Sequence, residues 1–259
     1  MSEPAVLLER SGGIARLTMN RPDAANAMSL AFASQFRVAV AEADADPGCH
    51  VLLLRGNGRF FSAGGDVAEM AAAADPSAYL LELAGSMSAG VLDLARSRLL
   101  VIAVVHGPAA GAGLGLVLNA DIVLAGESAT FIAAYSGVGL TPDCGVSHLL
   151  PRAVGPRRAI ELCLGGRVLT AADALAWGLV SEVHADADLA AVAEARALEL
   201  AGGATQAIGP TKLLLTAAAL SDYAEALARE SESISAIAAH PDTRARIAAF
   251  VQRSAAKRP

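Results

Sequence analysis

Aromatic side chains are scarce in this chain: only 4% of its 259 residues are Phe, Trp or Tyr. The hydrophobic share is nevertheless 54%, and charged residues make up 18%. A chain of this length and hydrophobicity can bury a full core without disulfides or a structural metal, which excludes the disordered and coiled-coil classes. The core must consist mainly of Ala, Leu, Val and Ile, which suits helices packed closely on a sheet of β-branched strands.

Basic residues and cysteines are also few. Lys plus Arg number 20 against 26 for Asp plus Glu, so the net charge is -6, which argues against nucleic acid as a partner. The cysteines, Cys49, Cys144 and Cys163, have no metal-ligand spacing among them. This usage predicts reduced thiols, no metal site and a cytoplasmic location. The N-terminal stretch has neither a basic nor an apolar signal region, so we expect no secretory leader.

One stretch, residues 99–118, is long and apolar enough to raise the possibility of a membrane span, with His106 as its only ionisable side chain. It contains four glycines and Pro108, and no basic cluster flanks it. A buried strand, a glycine turn and a buried helix explain the same letters better. We therefore expect no membrane partner.

The hydrophobic pattern predicts alternating strands and helices. Residues 5–10 and 14–20 predict a hairpin, and Ser29 is a candidate N-cap for the helix that follows. The later alternation of buried runs with helical segments predicts an α/β fold with parallel strand pairing. Beyond Pro142 the chain becomes largely helical, and no repeat or linker divides it. We expect one core over 1–200, followed by a helical region over 201–259.

Two segments share one pattern, in which a buried strand leads through a glycine-rich loop into a helix. They are residues 58–66 and 106–113. Small residues allow close approach of a ligand, and helix starts present unpaired N–H groups, so two such amides aimed at one point would form an oxyanion hole. Tight helix-on-strand packing would give the same glycines. Neither segment is a nucleotide phosphate loop or a dinucleotide fingerprint, because the required Lys and third glycine are missing.

The order of several short motifs resembles the enoyl-CoA hydratase/isomerase (crotonase) family over nearly the whole chain. They are Asn20-Arg21-Pro22, Phe61-Ser62-Ala63-Gly64-Gly65-Asp66, Gly107 through Gly113, Ala125-Gly126-Glu127, Leu149-Leu150-Pro151-Arg152, Trp177-Gly178-Leu179-Val180 and Ala249-Phe250. The resemblance implies an α/β, crotonase-like fold of repeated ββα units (the ClpP/crotonase spiral) with a helical C-terminal trimerisation region. It also implies an enzyme that acts on acyl-CoA thioesters without a metal or redox cofactor, coenzyme A being part of the substrate.

The resemblance also implies a set of site residues. The backbone N–H groups of Ala63 and Ala112 would form the oxyanion hole for the thioester carbonyl. The substrate-binding positions would be Ala25, Ala27, Gly65, Asp66, Val67, Pro108, Gly111 and Tyr135. Assembly as a homotrimer or a dimer of trimers is implied as well, and Lys212, Arg253 or Lys257 are candidates for contact with the CoA phosphates.

Hydratases of this family carry two glutamates, which hold and activate a water. The matching positions in this chain are Gly115 and Tyr135, and neither can transfer a proton as a carboxylate does. In hydration, water loses a proton as it adds to one carbon of the double bond, and the other carbon of the double bond takes up a proton. The departure therefore argues against plain hydration.

A different carboxylate, Asp143, follows Pro142 directly and precedes a helical stretch. On pattern alone it is a candidate helix N-cap. The Pro-Asp-Cys-Gly motif and Gly111-Ala112-Gly113 also resemble the 1,2-epoxyphenylacetyl-CoA isomerase branch of the family, which implies that Asp143 shuttles a proton. The sequence thus predicts an acyl-CoA isomerase that shifts a proton or opens a ring epoxide. The alternatives are a hydratase or another crotonase reaction, and a non-catalytic CoA-binding assembly subunit.

Overall fold

The computed structural model describes residues 3–256, so Lys257 lies outside the described residues. The strands are β1 (Val6–Ser11), β2 (Ile14–Met19), β3 (Val51–Gly56), β4 (Leu100–Val105), β5 (Ala109–Ala110), β6 (Ile122–Gly126), β7 (Thr130–Ile132), β8 (Val168–Thr170) and β9 (Glu182–His184). The helices are α1 (Leu30–Ala45), α2 (Val67–Ala72), α3 (Pro76–Arg96), α4 (Ala112–Leu118), α5 (Val146–Val154), α6 (Pro156–Gly165), α7 (Ala171–Trp177), α8 (Leu189–Ala201), α9 (Thr205–Leu220), α10 (Tyr223–Ala238) and α11 (Pro241–Ala255).

The larger sheet has six strands in the order β1-β2-β3-β4-β6-β9. β1 and β2 form the predicted antiparallel hairpin, and every later neighbour in this sheet pairs in parallel. β3 and β4 are buried nearly throughout, as parallel strands covered on both faces require. The predicted α/β class is confirmed, and the parallel order places the ends of β3 and β4 side by side at one edge.

A smaller sheet pairs β5 with β7 in parallel and β7 with β8 antiparallel. Its first strand is the two-residue segment Ala109–Ala110, inside the second glycine turn, which the sequence pattern did not predict as a strand. Through this pairing the turn lies next to the segment that leads from β7 to Tyr135. The smaller sheet therefore positions one wall of the site.

The core lies on both faces of the larger sheet. α1 and α3 cover one face, and α8 covers the other through Leu189, Ala193 and Ala197. Buried residues of α10 and α11, among them Leu227 and Ile247, belong to the same hydrophobic cluster as α1 and α3. The C-terminal helices thus share the main core, and the division near residue 200 stays a prediction.

The predicted N-cap at Ser29 is confirmed, and Thr170 caps α7 in the same way. The Ser29 hydroxyl accepts a hydrogen bond from the Phe32 N–H at 3.1 Å, and Thr170 accepts one from the Asp173 N–H, also at 3.1 Å.

Residues 99–118 form β4, β5 and α4 rather than one helix. Within residues 3–256, α3 alone has the length and apolar composition of a membrane span, yet half of the qualifying window is buried inside the protein.

Candidate active site

The two glycine turns are joined by backbone hydrogen bonds. The Ser62 N–H donates to the Pro108 carbonyl at 3.2 Å, and the Ala110 N–H donates to the Ser62 carbonyl at 2.9 Å. A Cβ atom on Gly64 would lie 2.8 Å from the Ala110 carbonyl oxygen and 3.1 Å from the Ala112 nitrogen. Glycine at 64 is therefore needed for the turns to approach this closely, and the start of α4 comes to lie beside the first turn.

The structure corrects the predicted pair of oxyanion donors. The Ala63 N–H already donates to the Ala25 carbonyl at 2.9 Å, so it is not available to a ligand. By contrast, the N–H groups of Gly65 and Ala112 have no acceptor within residues 3–256. Ala112 is the first residue of α4, where the helix leaves its N–H groups unpaired. The pair of free amides is Gly65 with Ala112, two residues along from the predicted Ala63.

A cavity of about 80 Å³ opens between these turns and the C-terminal helices. It brings together seven predicted residues: Ala63, Gly65, Val67, Gly111, Ala112, Tyr135 and Asp143. The remaining wall is apolar and consists of Met70, Leu80, Leu83, Ala134, Val138, Leu140, Ile234 and Phe250. The arrangement thus places one carboxyl group and two free amides in an apolar enclosure.

Asp143 faces this cavity and does not cap a helix. Its side chain is 8% exposed, and the Tyr135 hydroxyl donates a hydrogen bond to its Oδ1 at 2.7 Å. α5 begins at Val146 with Gly145 as its N-cap residue, and no side chain of its own caps it. The N-cap interpretation of Asp143 is therefore wrong, and the Tyr135 hydroxyl bonds directly to the carboxyl group.

Burial raises the pKa of Asp143 to about 6, and the hydrogen bond from Tyr135 offsets part of this rise. The same burial holds the pKa of the Tyr135 phenol well above its ordinary value, so the phenol stays a hydrogen-bond donor. A carboxyl group with a pKa near 6 is ionised at neutral pH and accepts a proton more readily than an exposed carboxylate.

Four predicted substrate-binding residues lie outside the cavity wall: Ala25, Ala27, Asp66 and Pro108. Asp66 is occupied as the N-cap of α2, accepting from the Ala68 and Glu69 N–H groups at 3.2 Å, and its Oδ2 lies 3.0 Å from Arg21 Nη2. These contacts hold the first glycine turn in place from the side that faces away from the cavity. The direct substrate contacts predicted for the four residues stay a prediction.

The matched position of one hydratase glutamate has no room for a side chain. A Cβ atom on Gly115 would lie 2.6 Å from the Cys144 Cβ and 2.9 Å from the Cys144 carbonyl oxygen. At the other position, Tyr135 fills the space beside Asp143. Asp143 is thus the single carboxylate among the described residues that line the cavity.

Several other polar candidates have structural roles. His148 is buried, with Nε2 2.7 Å from the Ala219 carbonyl, and His106 contacts the Gly58 carbonyl at 2.9 Å. Lys212 is buried and forms an ion pair with Asp121 at 2.9 Å, so its contact with the CoA phosphates stays a prediction. Arg253 lies exposed on α11. No group of three or more metal-ligating side chains occurs in residues 3–256.

Ile234 and Phe250, on α10 and α11, were not predicted from the sequence as cavity residues. They follow Asp143 by about a hundred residues, and each occupies an ordinary apolar position of a helix. The motif Ala249-Phe250 is part of the family resemblance, but no spacing connects it to the glycine turns. Only the packing of the C-terminal helices on the core reveals this wall.

Comparisons with known proteins identify the family of this chain. The family model described as enoyl-CoA hydratase/isomerase matches residues 9–257. The chain belongs to this family. It is 38% identical over 210 residues to 1,2-epoxyphenylacetyl-CoA isomerase of Escherichia coli (strain K12), covering 80% of this chain and 79% of that protein. It is 31% identical over 251 residues to 4-chlorobenzoyl coenzyme A dehalogenase-2 of Arthrobacter sp, covering 96% and 91%.

Among solved structures, the fold matches an enoyl-CoA hydratase from Mycobacterium avium subsp. paratuberculosis K-10 with a TM-score of 0.88 and 34% identity, covering 96% of each chain. The crotonase-like fold predicted from the motifs is therefore confirmed. Relatives of similar identity carry isomerase, hydratase and dehalogenase names, so membership supports acyl-CoA hydratase/isomerase chemistry without separating these reactions.

The raised pKa of Asp143 predicts a cost to stability at neutral pH. Because its pKa rises from 3.8 to about 6 on folding, the folded state favours the protonated form, and stability is lost as pH rises through this range. Asp143→Asn removes that cost while keeping an acceptor for Tyr135. We expect the variant to gain on the order of 2 kcal/mol over wild type at pH 8, and much less at pH 4.

Urea unfolding at both pH values measures this difference. Asp188→Asn is the control, because Asp188 is exposed and makes no capping hydrogen bond. Equal stability of Asp143→Asn and wild type at both pH values would contradict the account of a buried, destabilised carboxyl group.

Proposed function

We propose that this chain is an acyl-CoA isomerase that moves a proton through a thioester enolate, with Asp143 as the acid/base. The observation that carries the proposal is the shared cavity, in which one buried carboxyl group faces the turns that hold two unpaired amides. The proposal deepens the family assignment, which covers hydratases and isomerases alike.

The two free amides supply the electrostatic part of the reaction. The thioester carbonyl oxygen accepts hydrogen bonds from the Gly65 and Ala112 N–H groups, which strengthen as negative charge develops on that oxygen. The Ala112 amide adds the positive end of the α4 dipole. This stabilisation is what allows a carboxylate of modest basicity to remove a proton next to the thioester.

Asp143 supplies the proton transfer. Its carboxylate takes a proton from C2 of a β,γ-unsaturated acyl-CoA, and the C–H electron pair enters a dienolate whose charge rests on the thioester oxygen. The carboxylic acid then returns the proton at C4, and the dienolate electrons form the C2–C3 double bond and restore the carbonyl. One carboxylate suffices, because the group that removes the proton also delivers it.

The geometry favours isomerisation over hydration. Hydration needs a second group to activate the water, and the place of one glutamate is closed by the contact between Gly115 and Cys144. An acyl-CoA with a ring epoxide at C3 still carries the acidic C2–H and can form the same stabilised enolate, and the relative in Escherichia coli bears a name of that kind. We include such epoxides in the proposed substrate class. We also propose that the reaction uses no metal or redox cofactor, and that the protein assembles as a homotrimer or a dimer of trimers.

Replacing Asp143 by Asn should abolish exchange of solvent deuterium into a β,γ-enoyl-CoA, because the amide cannot accept the C2 proton. Mass spectrometry of the recovered thioester measures the exchange, with Asp188→Asn as the control. Exchange near the wild-type rate in Asp143→Asn would remove Asp143 from the mechanism. Water addition to a crotonyl-type substrate by the wild-type protein would favour the hydratase instead.

Ala112→Pro removes one proposed oxyanion donor at the first position of a helix, where proline is compatible with the helical backbone. We expect kcat to fall by about 10²–10³-fold, the usual effect of losing one such donor. The matched control is Ala171→Pro, at the first position of α7, which does not line the cavity. Wild-type turnover in a folded Ala112→Pro protein would show that this amide is not used.

Tyr135→Phe removes the hydroxyl that stabilises the ionised form of Asp143, so the pKa of Asp143 should rise further. The acid limb of the kcat/KM profile should therefore move to higher pH. Tyr79→Phe is the control, since the Tyr79 hydroxyl bonds to Glu69 outside the cavity. An acid limb at the wild-type pH in Tyr135→Phe would contradict the assignment of that limb to Asp143.

A further inference from the structure

A second buried carboxylate, Glu230, lies on the far side of the segment that carries Asp143. It is 4% exposed and projects from α10, one helical turn before the cavity residue Ile234. Glu230 does not line the cavity. Its Oε2 accepts from the Gly145 N–H at 2.7 Å, and its Oε1 accepts from the Ser147 N–H at 2.8 Å and from the Ser147 hydroxyl.

These contacts replace a helix cap. α5 has no side-chain cap from its own N-cap residue, Gly145, and Glu230 reaches it from a helix 85 residues later in the chain. A carboxylate at a helix N-terminus pairs with unpaired N–H groups and with the positive end of the dipole. The start of α5 is thus fixed by α10 rather than by its own sequence.

The segment held in this way is strained. Cys144, between Asp143 and the cap, has a φ of 54°, in the left-handed region that non-glycine residues rarely adopt. Its carbonyl accepts from Asn119 Nδ2 at 3.1 Å, which holds the segment from the α4 side. Such a backbone persists only where surrounding contacts determine it, and the Glu230 contacts begin two residues after Asp143.

We infer that Glu230 is a positioning residue for proton transfer: by anchoring the Gly145 and Ser147 amides, it fixes the Asp143 carboxylate against the two free amides of the cavity. The inference rests on the proposed function of Asp143. Misplacement of a reacting group by about 1 Å can cost about 10²-fold in rate, so the anchor acts on kcat rather than on binding.

The ionisation of Glu230 adds a second signature. Burial raises its pKa to about 7, its three hydrogen bonds oppose the rise, and the nearby Asp143 charge adds to it. The other titratable groups facing it are Cys144, Cys163 on α6 and Tyr223 on α10, which are neutral in this range because burial raises the pKa of each. Protonation turns one oxygen of Glu230 into a hydroxyl, which is a weaker acceptor, so the ionised form holds the two backbone amides best.

The test compares Glu230→Gln with Glu232→Gln, a matched change at an exposed position of the same helix. The glutamine side chain in Glu230→Gln has one acceptor oxygen and one NH2 donor, so it can accept from only one of the Gly145 and Ser147 N–H groups and presents a donor to the other. We expect kcat for the β,γ- to α,β-enoyl-CoA shift to fall about 10- to 100-fold, with KM changed less than about threefold. Glu232→Gln should match wild type in both constants.

The pH profile separates positioning from a general loss of structure. In wild type, log kcat should fall more steeply with decreasing pH between about pH 7 and 5.5 than in Glu230→Gln, because both Asp143 and Glu230 take up protons in that range. In Glu230→Gln the slope should not exceed one. A folded Glu230→Gln protein with the kcat and slope of wild type would overturn the inference.

Ser147→Ala keeps the inference testable if Glu230→Gln does not fold, because it removes one of the three donors and leaves both backbone amides. We expect a smaller fall in kcat, about three- to tenfold, at unchanged KM. A wild-type kcat in Ser147→Ala would overturn the inference.

Asp143→Asn separates the two proposals. Full turnover in Asp143→Asn overturns the proposed function itself, whereas an inactive Asp143→Asn beside a wild-type-like Glu230→Gln overturns only the role of Glu230.

Discussion

Burial of one carboxyl group beside unpaired backbone amides is the constraint on which the rest of this site depends. An ionised Asp143 in an apolar enclosure is costly, and the raised pKa expresses that cost. Two free N–H groups at Gly65 and Ala112 are likewise unfavourable without an acceptor. Protein structures retain such groups where a ligand satisfies them, and a thioester carbonyl with an acidic neighbouring C–H satisfies both.

The fold meets this constraint by joining distant segments with backbone contacts. Parallel pairing of β3 with β4 brings the two glycine turns to one edge, and the Ser62 and Ala110 hydrogen bonds lock them together. The smaller sheet leads from the second turn to Tyr135. α10 then holds the backbone next to Asp143 through Glu230, so a helix of the C-terminal region fixes a segment of the core.

Much of the fold and part of the candidate site are predictable from the local sequence. The hairpin, the alternating strands and helices, and the two glycine turns follow from hydrophobic periods and glycine placement, and the order of the motifs indicates the family. Asp143 was recognised through its motif, although its local pattern equally predicted an N-cap. That ambiguity arises because a carboxylate before a helix can turn either toward the helix or away from it.

The remaining features depend on long-range packing. The choice between Ala63 and Gly65 as donor depends on the Ala25 carbonyl, which lies almost forty residues earlier in the chain. Ile234 and Phe250 reach the cavity, and Glu230 reaches the start of α5, through the packing of α10 and α11, which no spacing in the sequence encodes. Lys212 reads as a free cation in the sequence, yet the fold pairs it with Asp121.

A crystal structure with a saturated, unreactive acyl-CoA bound would test the central claim most directly. The account expects the thioester oxygen to lie within about 3.2 Å of both the Gly65 and Ala112 nitrogens. It also expects an Asp143 carboxylate oxygen within about 3.5 Å of C2, and it expects C4 to face the same carboxylate group. A thioester oxygen bonded to neither amide, or an Asp143 carboxylate turned away from the acyl chain, would contradict it.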